Sequence, residues 1–79
     1  MMTPGEQLVR AAMAYAAEAD GAGYWLHVHM QDGKLLRGSC YEPENGVMRM
    51  DVYTDDRGVN YAEPVWVNLA HVTHVQIKW

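Results

Sequence analysis

Four histidines are the residues of this 79-residue chain best suited to chemistry: His27, His29, His71 and His74. Neutral imidazole is a common ligand for zinc, copper and nickel. His27 and His29 are two apart, so on a strand they share one face. His71 and His74 flank the start of a later strand. A coordination site needs converging ligands and a supporting shell, and no cysteine or carboxylate at ligand spacing accompanies the four. The sequence therefore assigns no metal and no cofactor. Cys40 falls on an inward face with Leu36, where a lone thiol acts as a small hydrophobe. A cysteine nucleophile would need exposure and a nearby base. Ser39 lies outside any nucleophile-elbow pattern, and no Asp/Glu pair has a visible cause for a shifted pKa. No catalytic residue is assigned, and the chain is read as non-enzymatic.

The aromatic residues Trp25, Tyr41, Tyr53, Tyr61, Trp66 and Trp79 fall on outward faces or near element ends. Such rings stack the bases of single-stranded nucleic acid, and they are equally enriched at protein interfaces. A formal charge of −4 with only six scattered Lys and Arg favours the interface, because phosphate binding relies on clustered cations. Arg37 and Arg49 are the candidates for local positive charge. Apolar residues at 49% against 20% charged describe a globular domain, not a disordered one. The one cysteine forms no internal disulfide and fits a reducing, cytoplasmic setting. No stretch is long enough to span a membrane, and no signal-peptide pattern is expected.

The elements that must position these residues are readable in order. Thr3-Pro4-Gly5-Glu6 opens a helix over residues 3–20, with Thr3 as cap, Pro4 in the first helical position and Glu6 completing a capping box. Leu8, Ala12, Tyr15, Ala16 and Ala19 lie at helical spacing on one face, and Gly21 is the expected C-terminal cap. Strands are expected over residues 24–31, 34–42, 47–54, 60–68 and 72–79. Asp32-Gly33 and Asn45-Gly46 both suit type I′ turns. Asp55-Asp56-Arg57-Gly58 is a polar tip. Pro64 must lie at an edge or a bulge, and Leu69-Ala70-His71 forms a one-turn connection. The fold class is mainly β: an N-terminal helix, then a strongly bent five-stranded antiparallel barrel over residues 24–79, all in one domain spanning residues 1–79. Gly38 is read as a site of close approach where valine would not fit, and Gly5 as one where alanine is mild.

The segment Val28-His29-Met30-Gln31-Asp32-Gly33-Lys34-Leu35-Leu36-Arg37-Gly38 resembles the first signature of the Sm-like superfamily, which includes LSm proteins and the Hfq-like small SH3-like barrels. Residues 65–77 resemble the last two strands of that family and their short helical link. The chain departs from the family in lacking the Arg-Gly pair of the second signature, and it has Leu69-Ala70 where Hfq has Lys-His. The resemblance implies a ring-forming homo-oligomer that binds single-stranded RNA or a nucleotide at two loops of the inner rim. Those loops are residues 41–46 and 68–71 here, with Tyr41, Asn45, Asn68 and His71 as ligand-binding candidates. It also makes the first and fifth strands neighbours, so the two histidine pairs could approach. The alternatives are a protein-docking module that uses the outer aromatics and a histidine metal-binding protein.

Overall fold

The computed structural model describes residues 2–19, 23–56 and 59–79, with residues 54–56 and 59–61 as backbone only. A helix, α1 (Pro4–Ala19), precedes five strands: β1 (Trp25–Met30), β2 (Leu35–Cys40), β3 (Val47–Asp56), β4 (Val59–Asn68) and β5 (Val72–Lys78). A 3-10 turn, η1 (Leu69–His71), links the last two strands. The expected Gly21 cap and the Arg57-Gly58 part of the polar tip lie outside the described residues.

The five strands form one antiparallel sheet in the order β4-β3-β2-β1-β5. The expected mainly-β fold with an N-terminal helix is therefore present, but the sheet does not close into a barrel. Closure would require β4 to pair with β5. The chain instead returns β5 to the far side of β1, where Leu26 pairs with Ile77 and Val28 with Val75, so β4 and β5 are the two end strands.

The register explains the core. Leu26 and Val28 from β1, Met48 and Met50 from β3, and Val67 from β4 are buried with Leu69, Val72 and Val9. Strand positions two apart share a face, so His27, His29, Arg49, Asp51 and Trp66 are carried to the opposite face. α1 packs on η1 and β5. It buries Gly5, Glu6, Val9 and Ala16, with Ala12 and Met13 half-buried. This face differs from the expected one. Leu8 is exposed and Tyr15 is 63% exposed. The alanine-rich stripe has too little apolar area to fix the helix rotation, and the contacts of Gly5 and Glu6 fix it instead. A Cβ at Gly5 would run into the Leu69 carbonyl and come within 3.0 Å of the Val72 Cβ, so the expectation that alanine is mild there is overturned.

The two turns differ in kind. Asn45 (φ 54°) and Gly46 (φ 79°) both take positive φ. Glu44 and Val47 exchange N–H···O bonds of 2.9 and 3.1 Å around them, as a two-residue type I′ loop requires. At Asp32-Gly33 only the glycine has positive φ. Gly33 N–H donates to Met30 O, and Met30 N–H donates to Lys34 O. That is a three-residue loop with glycine in the left-handed position. Asp32 keeps negative φ because its Oδ1 accepts from Lys34 N–H at 3.0 Å, a local bond that aspartate makes readily in turns.

Pro64 sits on the end strand β4 opposite Asp51, as its missing donor demands. Leu69 N–H donates to Gly46 O at 2.9 Å, and this sets the alternation of bonded and non-bonded pairs down the β3–β4 ladder. Asp51–Pro64 is a non-bonded pair, so the proline nitrogen faces the open edge.

Candidate functional site

The loop at residues 41–46 is held by the helix. Glu6 is only 5% exposed. Its Oε1 accepts from Gly46 N–H at 3.0 Å, and its Oε2 accepts from Arg10 Nε at 3.0 Å. Arg10 also donates to Glu42 Oε1 at 2.8 Å and to the Pro43 carbonyl at 2.7 Å. The expected capping box is therefore half made. Glu6 N–H donates to Thr3 Oγ1 at 3.2 Å, while the Glu6 carboxylate leaves the cap to hold the Asn45-Gly46 turn. A buried charge is tolerated when it is paired and hydrogen-bonded, and the turn amide and the guanidinium supply both. The sequence showed Glu6 and Arg10 one helical turn apart, but only the tertiary fold brings residue 46 to them.

The four ligand candidates fall into different settings. The Leu69 N–H···O=C Gly46 bond joins the two loops, and this brings the turns that carry Asn45 and Asn68 side by side. Asn68 caps η1, its Oδ1 accepting from Ala70 N–H at 3.0 Å. His71 is exposed, and its carbonyl accepts from Gln31 N–H at 2.8 Å, which ties it to the β1–β2 turn. Tyr41 lies on the sheet face away from the core. Its hydroxyl donates to Asp51 Oδ2 at 2.9 Å, and the Arg49 guanidinium stands 4.5 Å from its ring centroid. The turns of Asn45 and Asn68 are joined by the Gly46–Leu69 bond, whereas Tyr41 belongs to a second group.

That second group was only partly visible in the sequence. Arg49 pairs with Trp66 across β3–β4, with the guanidinium 6.0 Å from the indole centroid. Tyr41, Arg49 and Trp66 thus form a row across the sheet, aromatic, cationic and aromatic. A guanidinium over aromatic faces is favourable through the ring quadrupole. Arg49 is also bound to Asp51 Oδ1, at 3.1 Å from Nη2 and 3.3 Å from Nε. The charge of the row is balanced internally, and Trp66 is 66% exposed beside it. The alternation of β3 and β4 signalled the outward aromatics, but the choice of Arg49 as their common neighbour depends on register.

No family model, curated protein or solved structure matches the chain. No helix among the described residues is long and apolar enough to cross a membrane.

Cys40 packs against the core, and burial pushes its thiol up to about 12. The thiolate, which is the nucleophile, is not formed near neutral pH. The raised value also sets a pH dependence. The unfolded chain releases this proton above about pH 9 while the folded chain retains it, so stability falls as pH rises from about 9 towards 12. Thermal melts across that window should show a smaller loss for Cys40→Ala than for the parent. Equal slopes would mean that the thiol is not sequestered.

Proposed function

We propose that the chain is a non-enzymatic Sm-like module that assembles edge to edge into a ring and holds single-stranded RNA or a nucleotide weakly at the loops of residues 41–46 and 68–71. The observation that carries this reading is the strand order. β4, with ten residues, and β5, with seven, are the two ends of one sheet. Both are rich in β-formers: Val65, Trp66 and Val67 on one, Val72, Val75 and Ile77 on the other. Unpaired strand edges of this kind are templates for another chain. Pairing β4 of one copy with β5 of the next would satisfy both edges except at Pro64, and such head-to-tail contacts close into rings when the rotation permits.

The ligand half of the proposal is supported by the adjoining Asn45 and Asn68 turns, whose amides suit the edge of a base. The net charge of −4 and the pairing of Arg49 with Asp51 leave little attraction for phosphates, so affinity at physiological salt should be roughly micromolar or poorer. A second reading, a protein partner docked on the row of Tyr41, Arg49 and Trp66, is favoured by the exposed indole and the balanced local charge. The single thiol fits a cytoplasmic setting.

Light scattering should give a mass several times 9.0 kDa, and a monomer alone at micromolar concentration would reject the ring. Fluorescent uridine-rich RNA should bind the parent at low salt and bind Asn45→Gly less well, since glycine keeps the positive φ and removes the amide. Loss of binding on Trp66→Ala alone would move the contact to the sheet face. No binding at low salt would leave the protein-docking reading.

A further inference from the structure

His29 and His74 stand directly opposite each other in the β1–β5 register. Their rings are stacked, with centroids 3.8 Å apart and planes 15° apart. His29 Nε2 is buried and has no hydrogen-bond partner. A neutral imidazole carries one donor and one acceptor nitrogen, so this nitrogen lacks the partner its chemistry calls for. The register shifts immediately beyond the pair, between His29 and Met30, and Thr73 is the extra residue on β5. The Thr73 hydroxyl donates to the His29 carbonyl at 3.1 Å. A bulge beside a side-chain pair commonly re-aims it, and here the threonine also pins the backbone that carries His29.

We propose that His29 and His74 form a cross-strand site for a transition-metal ion, with Cu2+ the most strongly held. The exposed His74 ring lies over His29, so swinging it out of the stack would uncover His29 Nε2 and leave a His74 nitrogen beside it. Two imidazoles from adjacent strands then occupy neighbouring positions on the metal, and water fills the rest. Affinity of nitrogen sites rises along the first-row divalent ions to a maximum at copper. No group of three histidine, cysteine or carboxylate side chains gathers among the described residues, so the site is a two-residue one.

The charged neighbours set its limits. His27 shares the face of His29 and pairs with Gln76 and Arg37. Desolvation, then Lys78, Arg37 and His29, hold His27 below the ordinary histidine range. Arg37, directly opposite His27, and Lys78 near the end of β5 disfavour a metal ion at His27, which places the ion at the His29 end, with His27 outside the coordination sphere. Metal binding must displace any proton from both ligands, so acid weakens it.

The test is titration of CuCl2 into the full chain, followed by calorimetry and electron paramagnetic resonance, at about pH 7.5 and about pH 5. One copper per chain is expected at the higher pH, with hyperfine structure from two nitrogens, and much weaker binding at the lower. His74→Ala and His29→Ala should each lower affinity by roughly tenfold or more. His27→Ala and His71→Ala should stay within about threefold of the parent. His74 is exposed, so His74→Ala tests the site without disturbing the core, and a thermal melt checks that His29→Ala is folded. Parent-like affinity in His74→Ala, or binding that depends on His71, would overturn the proposal.

Discussion

Gly38→Val is expected to remove a large share of the stability of the fold. Gly38 lies in β2 opposite Val52 of β3 and Leu26 of β1. A Cβ there would collide with the Asp51 carbonyl and come within 3.0 Å of the Val52 Cα. The obstacle is backbone in the middle of the sheet, not the flexible end of a side chain, so relief requires β2 and β3 to separate. Overpacking of a closed site costs about 1–3 kcal/mol and sometimes more. A backbone collision belongs at or beyond the upper end of that range, against a total stability of only about 5–10 kcal/mol. In a domain of this size that corresponds to a fall in Tm of roughly 10 °C or more. Thermal melts by circular dichroism give the answer. A variant that melts within a few degrees of the parent would show that the β2–β3 approach is wrong.

Gly5→Ala should have the second-largest effect, although the substitution looks conservative and alanine is the better helix former. The added methyl meets the Leu69 carbonyl and the Val72 Cβ, so α1 must lift away from η1. Lifting the helix start also strains the bonds from Glu6 to Gly46 and Arg10. The propensity gain of about 1 kcal/mol is then outweighed by overpacking of about 1–3 kcal/mol, together with weakening of a buried hydrogen bond. The expected signature is a lower Tm together with faster amide exchange at Gly46. A rise in Tm would mean that propensity wins and that α1 does not seat on η1.

The contrast between the two glycines shows what the sequence could tell. Gly38 announced itself because it interrupts an alternating strand, where a missing side chain is conspicuous. Gly5 sits in the first turn of a helix beside proline, where glycine is unremarkable locally. Its reason lies 64 positions away, at Leu69. The same division runs through the rest of the chain. Strand periodicity and the turn dipeptides located all five strands and both hairpin loops. The turn at Asp32 went astray because Asp-Gly serves both two- and three-residue loops, and its side-chain bond to Lys34 decides between them. The helix rotation was illegible because alanine gives weak amphipathic contrast.

At the candidate site, alternation placed Tyr41, Arg49 and Trp66 outward but could not pair them. Asn45 and Asn68 were chosen by resemblance, and one backbone bond between Gly46 and Leu69 joins the loops that carry them. The histidines were the clearest case. Spacing put His27 and His29 on one face, but only the offset between β1 and β5, with its bulge, selects His74 as the partner of His29 and leaves His71 apart.

The nitrogen of Pro64 on the open side of β4 bears on what happens when copies of this chain meet. An incoming strand can zip onto the Trp66–Asn68 end of that edge but meets a gap in the row of donors one alternation further on. The contact therefore has a built-in stopping point. A short, reversible handshake between subunits is permitted, whereas the long continuous backbone zipper from which fibrils grow loses a rung at every layer that would use this edge. The proline thus removes one rung from any pairing that would use this edge, and the grip between copies that met there would be weaker at that position.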